Sequence, residues 1–176
     1  MPKKFEKEFI SYCENQNLEV NPNQIKVIKK LEDYHNSNYK SFFSKLFSKQ
    51  KTKKGFYLYG GVGVGKTMIL NFFYDHLEEK KLKKHFNEFM LGFHDFVYEQ
   101  KEKNEENVIN QFVKNLKSKA SLVYFDEFQV TNIVDAMILG KLFEQIFKED
   151  IKIILTSNTK ISELYKEGLQ REQFLP

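Results

Sequence analysis

Residues Gly60-Gly61-Val62-Gly63-Val64-Gly65-Lys66-Thr67 decide the reading of this chain. They stand between a short apolar run at 55–60 and an amphipathic pattern that starts near Gly65 and continues through Met68, Ile69, Leu70, Phe72, Phe73 and Leu77. Strand, glycine loop, Lys-Thr and helix in this order form a Walker A phosphate loop. Glycines let the backbone wrap closely, so that N–H groups converge on phosphate oxygens, and the following helix adds partial positive charge at its N-terminus. The expected nucleotide-binding residues are Gly60, Gly61, Val62, Gly63, Val64, Gly65, Lys66, Thr67 and Met68. Lys66 is expected to reach the β- and γ-phosphates and to act in catalysis, and the Thr67 hydroxyl to bind Mg²⁺.

A second apolar strand, Leu122-Val123-Tyr124-Phe125, ends in Asp126-Glu127, 59 residues after Thr67. Two carboxylates at the tip of a buried-type strand match a Walker B arrangement. Asp126 is expected to hold the metal and Glu127 to polarise the attacking water. A third strand at 151–156 ends in Ser157-Asn158, and a helical pattern from Ile133 to Phe147 separates it from the second. Strands alternating with helices build a parallel sheet, whose ligands bind beyond the carboxyl ends of the strands. Asn158 points to that edge, as a turn former or as a polar group near the γ-phosphate.

Elsewhere the chain is ordinary globular material. It has 176 residues, 41% hydrophobic and 30% charged, with 18 Phe and no Trp, which suits one soluble core. Cys13 is the only cysteine, so no internal disulfide forms; it reads as a small hydrophobe, and a reducing compartment fits. The N-terminus resembles neither a signal nor a transit peptide, and no run is long enough to span a bilayer. A cytoplasmic location is the expectation.

Residues 1–54 read as a helical segment and linker, with helical stripes through Phe5, Phe9, Ile10 and Tyr12 and from Asn23 to Tyr34. A short helix is expected around Phe42 to Phe47, and a nucleotide-binding core from 55 to 176. Residues 85–90 fit a strand or a helix start. The lysine-rich stretches at 49–54 and 80–84 read as a solvated loop and a helix end. Net charge is +4, and of 28 basic residues only Arg171 is an arginine. In a chain that uses lysine for positive charge everywhere else, a lone arginine reads either as accident or as a site needing the planar guanidinium fork.

Taken together, the loop, Phe72-Phe73-Tyr74, His85-Phe86-Asn87-Glu88-Phe89-Met90, Phe125-Asp126-Glu127-Phe128, Asp135-Ala136-Met137, Thr156-Ser157-Asn158, and Gly168-Leu169-Gln170-Arg171 with Phe174-Leu175-Pro176 resemble the ZapE family of AAA+ ATPases, to which the mitochondrial AFG-type ATPases belong. The resemblance implies a P-loop NTPase of three-layer α/β/α build with a mainly parallel sheet. It implies ATP and Mg²⁺ as ligands, Lys66, Glu127 and Asn158 as catalytic groups, Thr67 and Asp126 as metal ligands, and Arg171 as a finger acting on a neighbouring copy in a homo-oligomer. It also implies a protein partner of the division apparatus or inner membrane. A DNA-binding, helicase-loader-like ATPase is the alternative, and a non-catalytic fragment a third reading. Val64 stands where bacterial relatives often have Arg. Family members continue well past Pro176, so the strand order 5-1-4-3-2 and helical lid of an AAA+ core are expected here without the fifth strand and lid. Weak ATP binding and slow turnover by this chain alone are the corresponding expectation.

Overall fold

A computed structural model describes residues 4–38, 54–100 and 104–166. The expected helix at Phe42 to Phe47, most of the 49–54 lysine stretch and Arg171 lie outside those residues. The chain divides into two compact units: residues 1–56 with 65–78, and residues 57–64 with 79–176.

The first unit contains α1 (Lys4–Asn15), α2 (Pro22–Asn38) and α3 (Lys66–Asp75). Its helices meet through aromatic rings spaced at helical period. Phe5 packs on Phe73 with centroids 5.2 Å apart, and Phe9 meets Phe72 edge-on at 5.0 Å. Tyr34 anchors α2 by donating its hydroxyl to the Lys54 carbonyl at 2.9 Å. Cys13 is fully buried in α1, and burial followed by the nearby Glu14 raises its thiol pKa, as suits an inert core residue.

The second unit holds β2 (Lys81–His85), α4 (Phe86–Glu99), α5 (Glu105–Lys119), β3 (Leu122–Asp126), α6 (Ile133–Lys148), β4 (Lys152–Ser157) and a short 3₁₀ turn, Ile161–Glu163. It also takes residues 57–59 of β1 (Gly55–Tyr59). The sheet order is β1-β4-β3-β2, and β2, β3 and β4 run parallel in continuous register. Every residue of β3 and β4 is buried, on both alternating faces, which is the pattern of a central parallel strand. Val123, Phe125, Ile153 and Leu155 share one core cluster with Phe86, Phe89 and Phe93 of α4, Val113 of α5 and Leu142 of α6. Asn104 and Asn132 cap α5 and α6, each side-chain oxygen accepting a backbone N–H three residues on, at 2.9 and 2.8 Å.

The stretch at 80–84 corrects the sequence reading. It is not a helix end; residues 81–84 belong to β2, and the break into α4 falls between His85 and Phe86. Lysines carry no strand signal of their own, but β2 is a terminal strand of the sheet, where only one side of its ladder is paired and charge on the other is tolerated. Leu82 supplies its inward contact, and Lys83 lays its Nζ 5.4 Å from the centre of the Tyr124 ring. At the opposite end, β1 is the terminal strand next to β4.

Candidate functional site

The carboxyl ends of the strands in the second unit come together as one polar edge. His85 closes β2 and pairs in register with Asp126, the last residue of β3. Gly60 follows β1 and donates its N–H to the Ser157 carbonyl at the end of β4, at 3.2 Å. Asn158, the next residue, is exposed at the same edge. Side chains lock this edge. Asp126 is buried, and its Oδ1 accepts the Thr156 hydroxyl and the Glu127 N–H, the latter at 3.1 Å. Thr156 Oγ1 itself also accepts the Glu127 N–H at 3.1 Å. Phe128 N–H donates to the Thr156 carbonyl at 2.7 Å, and Ser157 Oγ donates to the Phe128 carbonyl at 2.8 Å. The Tyr57 hydroxyl donates to the Thr159 carbonyl at 2.6 Å, and burial raises its pKa against a smaller lowering by Ser157.

Glu127 is turned by its backbone. With φ at +56° it occupies the left-handed region, where a side chain is strained, and the surrounding bonds to Thr156 and Asp126 hold it there. Its carboxylate is exposed, and its Oε2 lies 3.8 Å from His85 Nδ1. Asp126 and Glu127 are therefore adjacent in sequence and opposite in environment. One is buried and hydrogen-bonded through a single oxygen, and the other is presented to solvent.

The glycine loop continues from Gly60 into the first unit. Gly63 and Gly65 take φ of +80° and +84°, and Gly65 forms the left-handed N-cap of α3, which begins at Lys66. No atom lies within 4 Å of where a Cβ would stand at Gly61 or Gly63. At Gly65 the Gln24 amide nitrogen would lie 2.6 Å from such a Cβ, so α2 leaves no room for a side chain there. Val62 is 86% exposed, as expected of a loop whose backbone, not side chains, is turned to its purpose.

The predicted residues thus fall in two sets. Gly60 to Val64, Asp126, Glu127 and Asn158 lie in the second unit, while Gly65, Lys66, Thr67 and Met68 lie in the first. Sequence reasoning missed Thr156 as the group that holds Asp126, and His85 as the neighbour of Glu127. A hydroxyl near the end of an otherwise isoleucine-rich strand was the available signal for the first.

Each set, taken by itself, offers groups suited to a nucleotide with a hard divalent cation. Open glycine backbone at a helix N-terminus suits phosphate. Hydroxyl and carboxylate oxygens suit Mg²⁺, which is characteristically held by one or two carboxylates together with the phosphates and water.

The model of the AFG1-like ATPase family matches residues 11–176. The chain belongs to this family. It is 39% identical over 154 residues to "Lactation elevated protein 1 homolog B" of Danio rerio, covering 82% of this chain and 31% of that protein. It is also 39% identical over 130 residues to "Cell division protein ZapE" of Escherichia coli strain K12, covering 73% and 34%. The chain thus spans about a third of the length of these family members. Among solved structures, the replication initiator DnaA bound to AMPPCP and single-stranded DNA superposes with a TM-score of 0.58 over 90% of this chain and 45% of that one, at 17% identity. That similarity shows a shared α/β fold. Among the described residues, no helix is long and apolar enough to cross a membrane.

Proposed function

We propose that this family member binds ATP with Mg²⁺ and hydrolyses it, and that the cycle is coupled to remodelling of a protein partner. One observation carries the reading: the ends of all four strands meet at Gly60, Ser157, Asp126 and His85, and the first of these runs directly into an open, left-handed glycine loop that starts a helix. The residues from 55 onward form the nucleotide core in this reading, with 1–54 as a helical segment and linker ahead of it.

The loop N–H groups from Gly61 to Lys66 bind the phosphates, and the Lys66 ammonium binds the β- and γ-oxygens. Thr67 Oγ1 and Asp126 hold Mg²⁺, which supplies charge neutralisation on the phosphoryl oxygens. Both hydrogen bonds accepted by Asp126 fall on Oδ1, which leaves Oδ2 for the metal. Glu127 orients the attacking water and takes its proton. Its strained backbone fixes where the carboxylate stands before substrate arrives. Asn158 donates to the transferring phosphoryl group. Arg171 serves a neighbouring copy as a planar cation, and a finger of this kind is worth about 10³ to 10⁵ in rate.

The name of the Escherichia coli relative, a cell division protein, supports a partner in the division apparatus, and a cytoplasmic location goes with this reading. The test is ATP binding and turnover by the chain and two variants. Lys66→Ala is expected to abolish binding of a fluorescent ATP analogue. Glu127→Gln is expected to retain binding while turnover falls by about 10² to 10⁴. Binding that survives Lys66→Ala, or turnover unchanged in Glu127→Gln, overturns the proposal.

A further inference from the structure

We infer that the exposed stripe on α4, together with the start of α6, is a docking surface for a basic amphipathic segment of a partner protein. Helix α4 already buries one apolar face, through Phe86, Phe89, Met90 and Phe93 at helical spacing. Among the described residues, its core contacts lie on that face. Yet Glu88, Leu91, Asp95 and Tyr98 follow each other there at intervals of three and four residues, with Leu91 64% and Tyr98 68% exposed. Large apolar residues alternating with acids along one outward stripe form a two-part recognition pattern.

Helix α6 widens this surface. His94 Nε2 lies 2.7 Å from Asp135 Oδ1, and Asn132 Nδ2 donates to Asp135 Oδ2 at 2.7 Å. Both oxygens of this buried carboxylate are committed, so the tie between α4 and the first turn of α6 is fixed. Val134 and Met137, three residues apart and each 57% exposed, lie on the outward side of that turn of α6. This gives a role to the Asp135-Ala136-Met137 motif, which the nucleotide chemistry does not use: Asp135 ties the helices, Ala136 packs inward and Met137 is presented outward.

Charge selects the occupant. The chain carries 28 basic residues, but α4 has none, and holds Glu88, Asp95 and Glu99 instead. An acidic, apolar helix on a lysine-rich protein is complementary to a segment with apolar residues on one face flanked by Lys or Arg. Exposed methionine, leucine and tyrosine offer an adaptable apolar contact with large anchors.

This inference does not depend on ATP binding, and its test needs no nucleotide. Two 14-residue peptides share the same leucines at helical spacing, one with lysines and one with glutamates at the remaining positions. Each is titrated into the isotope-labelled chain and followed by NMR. The lysine peptide is expected to give saturable shifts centred on Leu91, Tyr98, Val134 and Met137, weakening as salt rises, while the glutamate peptide gives none. Asp95→Lys, and separately Leu91→Ser with Tyr98→Ser, are expected to weaken binding by about tenfold or more. All three positions are exposed, so the melting temperature should stay within about 2 °C of the parent. Equal binding of both peptides, shifts centred elsewhere, no saturation at millimolar peptide, or binding indifferent to these variants overturns the assignment. Sedimentation showing a self-association that Tyr98→Ser abolishes also overturns it, because the surface then belongs to a second copy of the chain.

Discussion

Replacing Thr156 with valine removes one hydroxyl from a fully buried position and leaves the shape of the side chain in place. That hydroxyl donates to Asp126 Oδ1 and accepts the Glu127 N–H at 3.1 Å. The N–H keeps its second acceptor, Asp126 Oδ1, at the same distance, so no backbone donor is orphaned. The loss is therefore mainly one hydrogen bond to a buried carboxylate, worth about 1.5 to 3 kcal/mol. We expect Thr156→Val to lower the unfolding free energy by about 2 kcal/mol with an unchanged urea dependence. For a chain of this length that corresponds to a drop of roughly 4 to 8 °C in melting temperature. The single substitution does not identify the partner, but a double-mutant cycle does. If the hydroxyl acts through Asp126, then Asp126→Asn and Thr156→Val are non-additive, with a coupling of about 1 to 2 kcal/mol. A loss below about 0.5 kcal/mol, or two substitutions that simply add, refutes the reasoning that Thr156 holds the carboxylate.

Three further outcomes follow from particular backbone and side-chain facts. At Glu127, φ is +56°, so Glu127→Gly should be more stable than Glu127→Ala by about 1 kcal/mol, the reverse of the usual order, as read from urea unfolding. In the glycine loop, Gly61→Ala should leave stability nearly unchanged, Gly63→Ala should cost about 1 kcal/mol for its left-handed φ, and Gly65→Ala should cost more because it also displaces Gln24; thermal melts of the three variants rank them. Burial holds the Tyr57 hydroxyl pKa above its ordinary value of 10.0, so the folded state keeps that proton more tightly than the unfolded chain. The stability this contributes is complete below pH 10 and is lost as pH rises through the raised pKa. Tyr57→Phe, which deletes the bond to the Thr159 carbonyl, should cost about 0.5 to 1.5 kcal/mol at neutral pH, and the gap to the parent should narrow above pH 10 in unfolding curves taken from pH 8 to 11.

What the sequence disclosed and what it concealed divide along the range of the interactions involved. The glycine loop, the apolar strands expected at 122–125 and 151–156 and the helices with strong apolar stripes are local patterns, and the strands stand at 122–126 and 152–157, within a residue of expectation. Strand β2 was hidden because its pairing partner, not its composition, makes it a strand: Lys81 to His85 match Leu122 to Asp126 residue for residue across 41 positions of chain. The same holds for the edge that receives the strand ends. Thr156 meets Asp126 across 30 residues, and His94 meets Asp135 across 41, distances over which no periodicity carries a signal. The left-handed backbone of Glu127 was hidden for a different reason. Glycine or asparagine would have advertised it, whereas glutamate carries no local signal for a left-handed backbone.

The β2 margin of the sheet discourages an approaching strand. Along β2, lysines at 81, 83 and 84 set a row of positive charge against any second copy that drew near with the same margin, so like meets like and contact is repelled.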